Sequence, residues 1–158
     1  LNTPENVFGG PHLRCGVGSV GVCTHPCYEG EAAILLEAAA HKAQAEAAGL
    51  PAEDERYRIG FIKNTATENS TAADTSVLLM DVAPVFAAML DDMHASVPTP
   101  VIAARFHSAF VDAIVNVAEL VRATYGIEIM ALAGGVFMNR YLMERTLARC
   151  RSAALRWR

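Results

Sequence analysis

Apolar positions recur along this chain with two different periods, and the switches between them outline its elements. Residues 29–49, EGEAAILLEAAAHKAQAEAAG, place Ala33, Leu36 and Ala40 at helical spacing among helix-favouring Ala and Glu, and Gly49-Leu50-Pro51 is a stop signal. YRIGFI at 57–62 alternates as a strand does, and Thr75 to Val82 reads as a second strand. The polar stretch between them, NTATENSTAAD at 64–74, predicts a loop. A helix is expected from about Ala83 to Ala95, with Asp81 ahead of it and Pro84 in its first turn. Val101, Phe106, Phe110, Ile114, Val117 and Val121 follow an i, i+3/i+4 path through 99–125, which predicts one long helix or a broken pair, ended by Gly126. A strand over 127–132 and a helix over 136–149 follow, the latter with Val136, Phe137, Tyr141 and Leu142 on its apolar side. Two helices flanking one strand indicate an α/β layout. Residues 1–22 show no clear period and are rich in glycine, and no internal repeat is evident.

The junction between the last strand and the last helix carries the strongest chemical signal. The apolar run Ile127 to Leu132 ends in Gly134-Gly135, and a helical pattern opens at once. Glycine lets backbone N–H groups approach an anion, and a helix start adds unpaired donors and a partial positive charge. On glycine physics alone, a tight turn that only glycine can make is the simpler account.

Composition narrows the class. The chain has 158 residues, enough for one domain or part of one, and 53% of them are hydrophobic, which suits a packed core. The net charge of -4 argues against wholesale nucleic-acid binding. No uninterrupted apolar run reaches the roughly 18 residues of a membrane span, and residues 1–14 do not read as a signal peptide. No membrane partner and a cytoplasmic location are therefore expected. The chain opens on Leu1 rather than Met, as an incomplete piece would. Cys15, Cys23 and Cys27 lie close together with His12 and His25 among them, and Cys150 stands apart. Their spacing is not one of the usual structural-zinc patterns, so reduced thiols are the expectation.

Three blocks, in their order and spacing, carry a family resemblance. HPCYEGEAAILLEAAA at 25–40, PVIAARFHSAFVDAI at 100–114 and EIMALAGGVFMNRYLMERTL at 128–147 resemble the C-terminal Kae1-like domain of HypF, the carbamoyltransferase family that matures nickel–iron hydrogenases. The resemblance covers about residues 21–149. The tRNA-modifying Kae1 and TsaD proteins share the GGV-x-x-N element and are the alternative, though the YEGEAA and ARFH blocks would not be expected of them. A non-catalytic, self-associating module is a third reading.

The resemblance implies a partial ASKHA (actin-like ATPase) fold, as the second lobe of a Kae1-like domain. It implies a nucleotide, ATP or AMP within carbamoyl-adenylate, at Gly134 and Gly135, with Asn139 hydrogen-bonding it or satisfying the first helical turn. It places the Tyr28-Glu29-Gly30-Glu31 turn beside the nucleotide sugar, where a carboxylate accepts ribose hydroxyls; an acidic first turn favoured by the helix dipole is the plainer account of Glu29, Gly30 and Glu31. His107 either lines the cleft or is a half-buried histidine with its bonds satisfied. The partner implied is a HypE-like protein, whose C-terminal cysteine thiolate takes the carbamoyl group with AMP as leaving group. The family's metal-binding histidines lie upstream, so this chain is not expected to bind the metal ion or to be active alone.

Both ends depart from the family. One permitted back-translation of NVFGGPHLRCG at 7–17, read one base in, encodes TSSAGRIFDA followed by Val, the family's segment at that place. CRSAALRWR at 150–158, read two bases in, can give PVRGFAVA, with the family's G-F-x-V strand. The expectation is therefore that residues 1–20 and 150–158 are out-of-frame or non-native segments around a partial Kae1-like domain at 21–149. Missing neighbours would leave the apolar faces of helices 29–49 and 99–125 partly uncovered and favour self-association.

Overall fold

In a computed structural model of the chain, residues 28–46, 57–65, 76–153 and 155–157 are described. The segment 1–20, Cys23, Cys27, His25, the Gly49-Leu50-Pro51 stop and most of the loop at 64–74 lie outside the described residues. The elements run α1 (Glu31–Glu46), β1 (Gly60–Thr65), β2 (Ser76–Asp81), α2 (Ala83–His94), α3 (Thr99–Tyr125), β3 (Ile129–Met130), a 3-10 turn (Gly135–Met138), α4 (Arg140–Ser152) and β4 (Arg156–Trp157).

The long helix is continuous. Pro98 precedes it and Pro100 sits in its first turn, where a missing N–H costs nothing. Gly126 ends it in the left-handed region at φ 67°, its N–H donating to Arg122 O at 2.9 Å. By length and composition α3 is apolar enough to cross a membrane, but half of that stretch is buried inside the fold. It packs against α1, α2 and α4 as a core helix. One buried cluster joins Leu36 and Ala40 of α1, Val85 and Met89 of α2, Ile102, Ala103 and Ala109 of α3 and Tyr141 of α4. A second, smaller cluster joins Val115, Cys150 and Leu155.

The strands differ from the pattern-based expectation. β1 begins at Gly60 rather than at Tyr57, because its partner β2 ends at Asp81, opposite Gly60, and turns into α2. Tyr57 is drawn off the hairpin instead, its hydroxyl donating to Asp92 Oδ2 on α2 at 2.5 Å. β1 and β2 pair antiparallel, with Phe61 opposite Met80 and Lys63 opposite Leu78. The strand expected over 127–132 is paired only at Ile129–Met130, in parallel with Arg156–Trp157, which is all the partner that the described residues supply. The last helix starts four residues later than expected and runs past 149 to Ser152. Its tail is part of the fold, since Cys150 is wholly buried and Leu155 nearly so.

Candidate functional site

The glycine turn is built for openness. Gly134 holds φ 100° and ψ 162°, a region that residues with a Cβ adopt only under strain. Gly135 then opens the 3-10 turn, which is closed by Phe137 N–H to Gly134 O and by Asn139 N–H to Val136 O, both at 3.2 Å. A Cβ placed on Gly134 or Gly135 would meet no atom within 4 Å. Val136 and Met138 are largely exposed, and Val136 lines an apolar groove together with Phe137 and Leu142.

The turn and the helix start are separate. The expected helix opening at 136 is a 3-10 turn because Asn139 takes an extended conformation, φ -67° and ψ 108°, and caps α4. Its Oδ1 accepts Leu142 N–H at 2.8 Å. Glu37 of α1 occupies the rest of that helix end, its Oε1 accepting Arg140 N–H at 2.7 Å and Tyr141 N–H at 3.3 Å. A carboxylate here matches the positive end of the helix dipole. The N-terminal amides of α4 are thus satisfied within the protein.

Asn139 also joins the turn to α3. Its Nδ2 donates to His107 Nε2 at 3.0 Å, and His107 Nδ1–H donates to Ala103 O at 2.8 Å. His107 is 4% exposed, and burial is the main reason its pKa lies below the ordinary histidine value. The ring of Tyr141 meets His107 and His41 edge to face, each at 5.2 Å, and Arg145 lies over the Tyr141 ring. Burial likewise raises the Tyr141 hydroxyl pKa.

At the start of α1, Gly30 takes φ +84° and its carbonyl accepts Ile34 N–H, while Glu31 N–H reaches Tyr28 O at 3.3 Å. Tyr28, Glu29 and Gly30 are exposed and Glu31 is partly buried. Glu37, which holds the start of α4, lies about 9 Å further along the α1 axis from Glu31 at 1.5 Å per residue. Sequence reasoning missed Glu37: its contact spans 103 positions, and nothing in its neighbourhood marks it out. Also unforeseen is the cluster in which Asp92 Oδ2 accepts from Arg105 Nη1 at 2.7 Å and from Tyr57. Burial first, then this hydrogen bond, pushes the Tyr57 hydroxyl pKa up strongly.

An apolar groove of 590 Å³ runs beside α3, lined by Phe110, Ile114, Val117 and Val121 together with β3 and Phe137. Among the described residues no three His, Cys, Asp or Glu side chains converge as a metal site would need.

A family model described as "Carbamoyltransferase, Kae1-like Domain, second subdomain" matches residues 17–157. Among solved structures the chain is similar to full-length HypF in its phosphate- and nucleotide-bound form, with a TM-score of 0.69 and 22% sequence identity. That match covers 90% of this chain and 16% of that one. At this identity the likeness speaks for the fold alone. No curated protein sequence matches the chain.

Proposed function

The chain belongs to the carbamoyltransferase Kae1-like domain family, as its second subdomain, and we propose that it forms one nucleotide-facing wall of a carbamoyl-transfer site. The observation that carries this reading is the Gly134-Gly135 turn, exposed, free of any atom where a Cβ would stand, and fixed to the core through Asn139. Its backbone N–H groups are the anion-binding element, and Glu29 or Glu31 offers a carboxylate to ribose hydroxyls. The wall is one part of an ASKHA-type cleft. There carbamoyl-adenylate would be attacked by the C-terminal thiolate of a HypE-like partner, with AMP leaving.

Support for a nucleotide comes from the phosphate- and nucleotide-bound state of the similar HypF structure. The chain spans only 16% of that protein, so completing the reaction falls to segments this chain does not supply. The same reading takes residues 1–20 and 150–158 as out-of-frame segments. Coding DNA whose other frames lack TSSAGR and GF-x-V removes that element of it.

The binding site is tested by following backbone amide NMR shifts during an AMP or ATP titration. Shifts should concentrate at Gly134 to Phe137, with weak affinity. Gly135→Val should reduce that affinity about tenfold or more, since a side chain blocks backbone approach to phosphate. The fold should tolerate the change, because the added Cβ meets nothing. Tight binding that survives Gly135→Val would place the site elsewhere, and no shifts at millimolar nucleotide would sink the reading.

A further inference from the structure

Three hydrogen bonds in series connect α3 to the start of α4, and their directions are interdependent. A carbonyl only accepts, so Ala103 O fixes the proton of His107 on Nδ1. The neutral ring then offers a lone pair at Nε2, which needs a donor, and Asn139 Nδ2 supplies it. That choice turns Oδ1 of the same amide toward Leu142 N–H, the donor it caps. The two contacts of Asn139 independently demand the same amide orientation. Few other side chains hold this segment, since Gly134 to Val136 and Met138 are exposed.

We propose that His107 is a positioning residue for the Gly134-Gly135 turn, setting the orientation of the Asn139 amide and through it the junction between the turn and α4. The functional consequence rests on the reading of that turn as the nucleotide element. The hydrogen-bond relay does not. A proton added at Nε2 would face Asn139 Nδ2, donor against donor. Flipping the amide to relieve this would aim Nδ2 at Leu142 N–H and lose the cap. In either orientation one of the two contacts of Asn139 is lost. The groups facing the ring are Glu37 and His41 of α1, which pull its protonation in opposite directions, and the neutral Tyr141 of α4.

Ring-nitrogen NMR shifts of His107 in the full chain give the first test: the neutral ring should carry its proton on Nδ1, and an Nε2–H tautomer would overturn the proposal. Asn139→Asp is the second. Its carboxylate keeps the cap on Leu142 but turns a donor toward His107 into an acceptor, so the His107 titration midpoint should rise. An unchanged midpoint would overturn the proposal, because it would mean that the side chain at 139 does not face Nε2. Third, His107→Phe keeps a buried ring and removes both bonds, and Leu142 amide exchange should quicken about tenfold, as loss of a cap does. His107→Gln, which can present an acceptor to Asn139, should restore part of the protection. Equal protection in wild type and His107→Phe counts against the idea. Should the Phe variant fail to fold, the tautomer and the Asn139→Asp midpoint still decide. Nucleotide affinity is measured separately: a wild type that shows the relay but binds no nucleotide sinks the proposed function and leaves the positioning role standing.

Discussion

The two halves of α3 continue one apolar rhythm through very different surroundings. From Ile102 to Val115 the helix buries nine residues, and beyond Val115 it buries none among those described. The first half is covered by α1 and α2, and Ile102, Ala103 and Ala109 lie in the main cluster. In the second half Val117 and Val121 line the 590 Å³ groove, and Leu120 and Tyr125 stand largely exposed. The hairpin shows the same want of cover, with Val77 to Met80 all exposed. Periodicity thus reports which face of an element is apolar. It does not report whether the layer that covers that face is in the same stretch of chain. A chain spanning 16% of a similar structure is where these two statements come apart.

The largest test of this contrast is a matched pair of truncations. Ile102, 2% exposed, should cost about 2–5 kcal/mol on Ile102→Ala, because atoms are lost and a cavity remains. Val121→Ala, on the groove side, should cost about 1 kcal/mol or less, since little burial is lost. Urea unfolding measures both. Equal costs would show the second half to be as well covered as the first, and the contrast would fail.

Two ion pairs of the packed half differ in shielding on a smaller scale. Arg105 meets Asp92 at 2.7 Å with side chains 17% and 18% exposed, and Tyr57 shares the same carboxylate oxygen. Arg149 meets Asp112 at 3.3 Å with side chains 35% and 26% exposed. Asp92→Ala should destabilise by about 2 kcal/mol, as two charge-assisted hydrogen bonds are removed from a part-buried site. Asp112→Ala should cost about 0.5 kcal/mol, the ordinary value of a solvent-screened pair. A reversed order in thermal melts would make the Arg149–Asp112 pair the better shielded of the two.

How much of this was legible follows the same division. The run from Val101 to Val121 announces a helix, and Gly126 announces its end, because both signals are local. The α/β class and the blocks around Glu29, His107 and Gly134 were likewise readable. Strand β3 was overdrawn, since an apolar run says nothing of how many partner residues will pair with it, and among the described residues only Arg156–Trp157 do. The helix start was misplaced because Val136 and Phe137 fit a helical face, while the deciding bond, from Leu142 N–H to the Asn139 side chain, has no periodic signature. Glu37 was invisible for a plainer reason: the donors to its carboxylate are backbone amides more than a hundred positions away, and any residue but proline at 140 and 141 would supply them.

The finest test lies in acid and concerns the packed half alone. His107 has a folded pKa below its ordinary 6.5, chiefly through burial. The unfolded chain therefore takes up a proton before the folded one does. Stability from this group is fully present above pH 6.5 and falls as the pH drops from there through the folded pKa. Unfolding free energy measured in steps below neutrality should decline over that window, on top of the background from carboxylates. In His107→Gln, which has no proton to gain, that part of the slope should vanish while the carboxylate background stays. Residues facing the groove, Val117 and Val121, should leave the slope unchanged when truncated, because they touch none of the relay. A slope that persists in His107→Gln would assign the acid sensitivity to another group. The link from α3 through Asn139 to the glycine turn would then rest on the tautomer, the Asn139→Asp midpoint and Leu142 exchange.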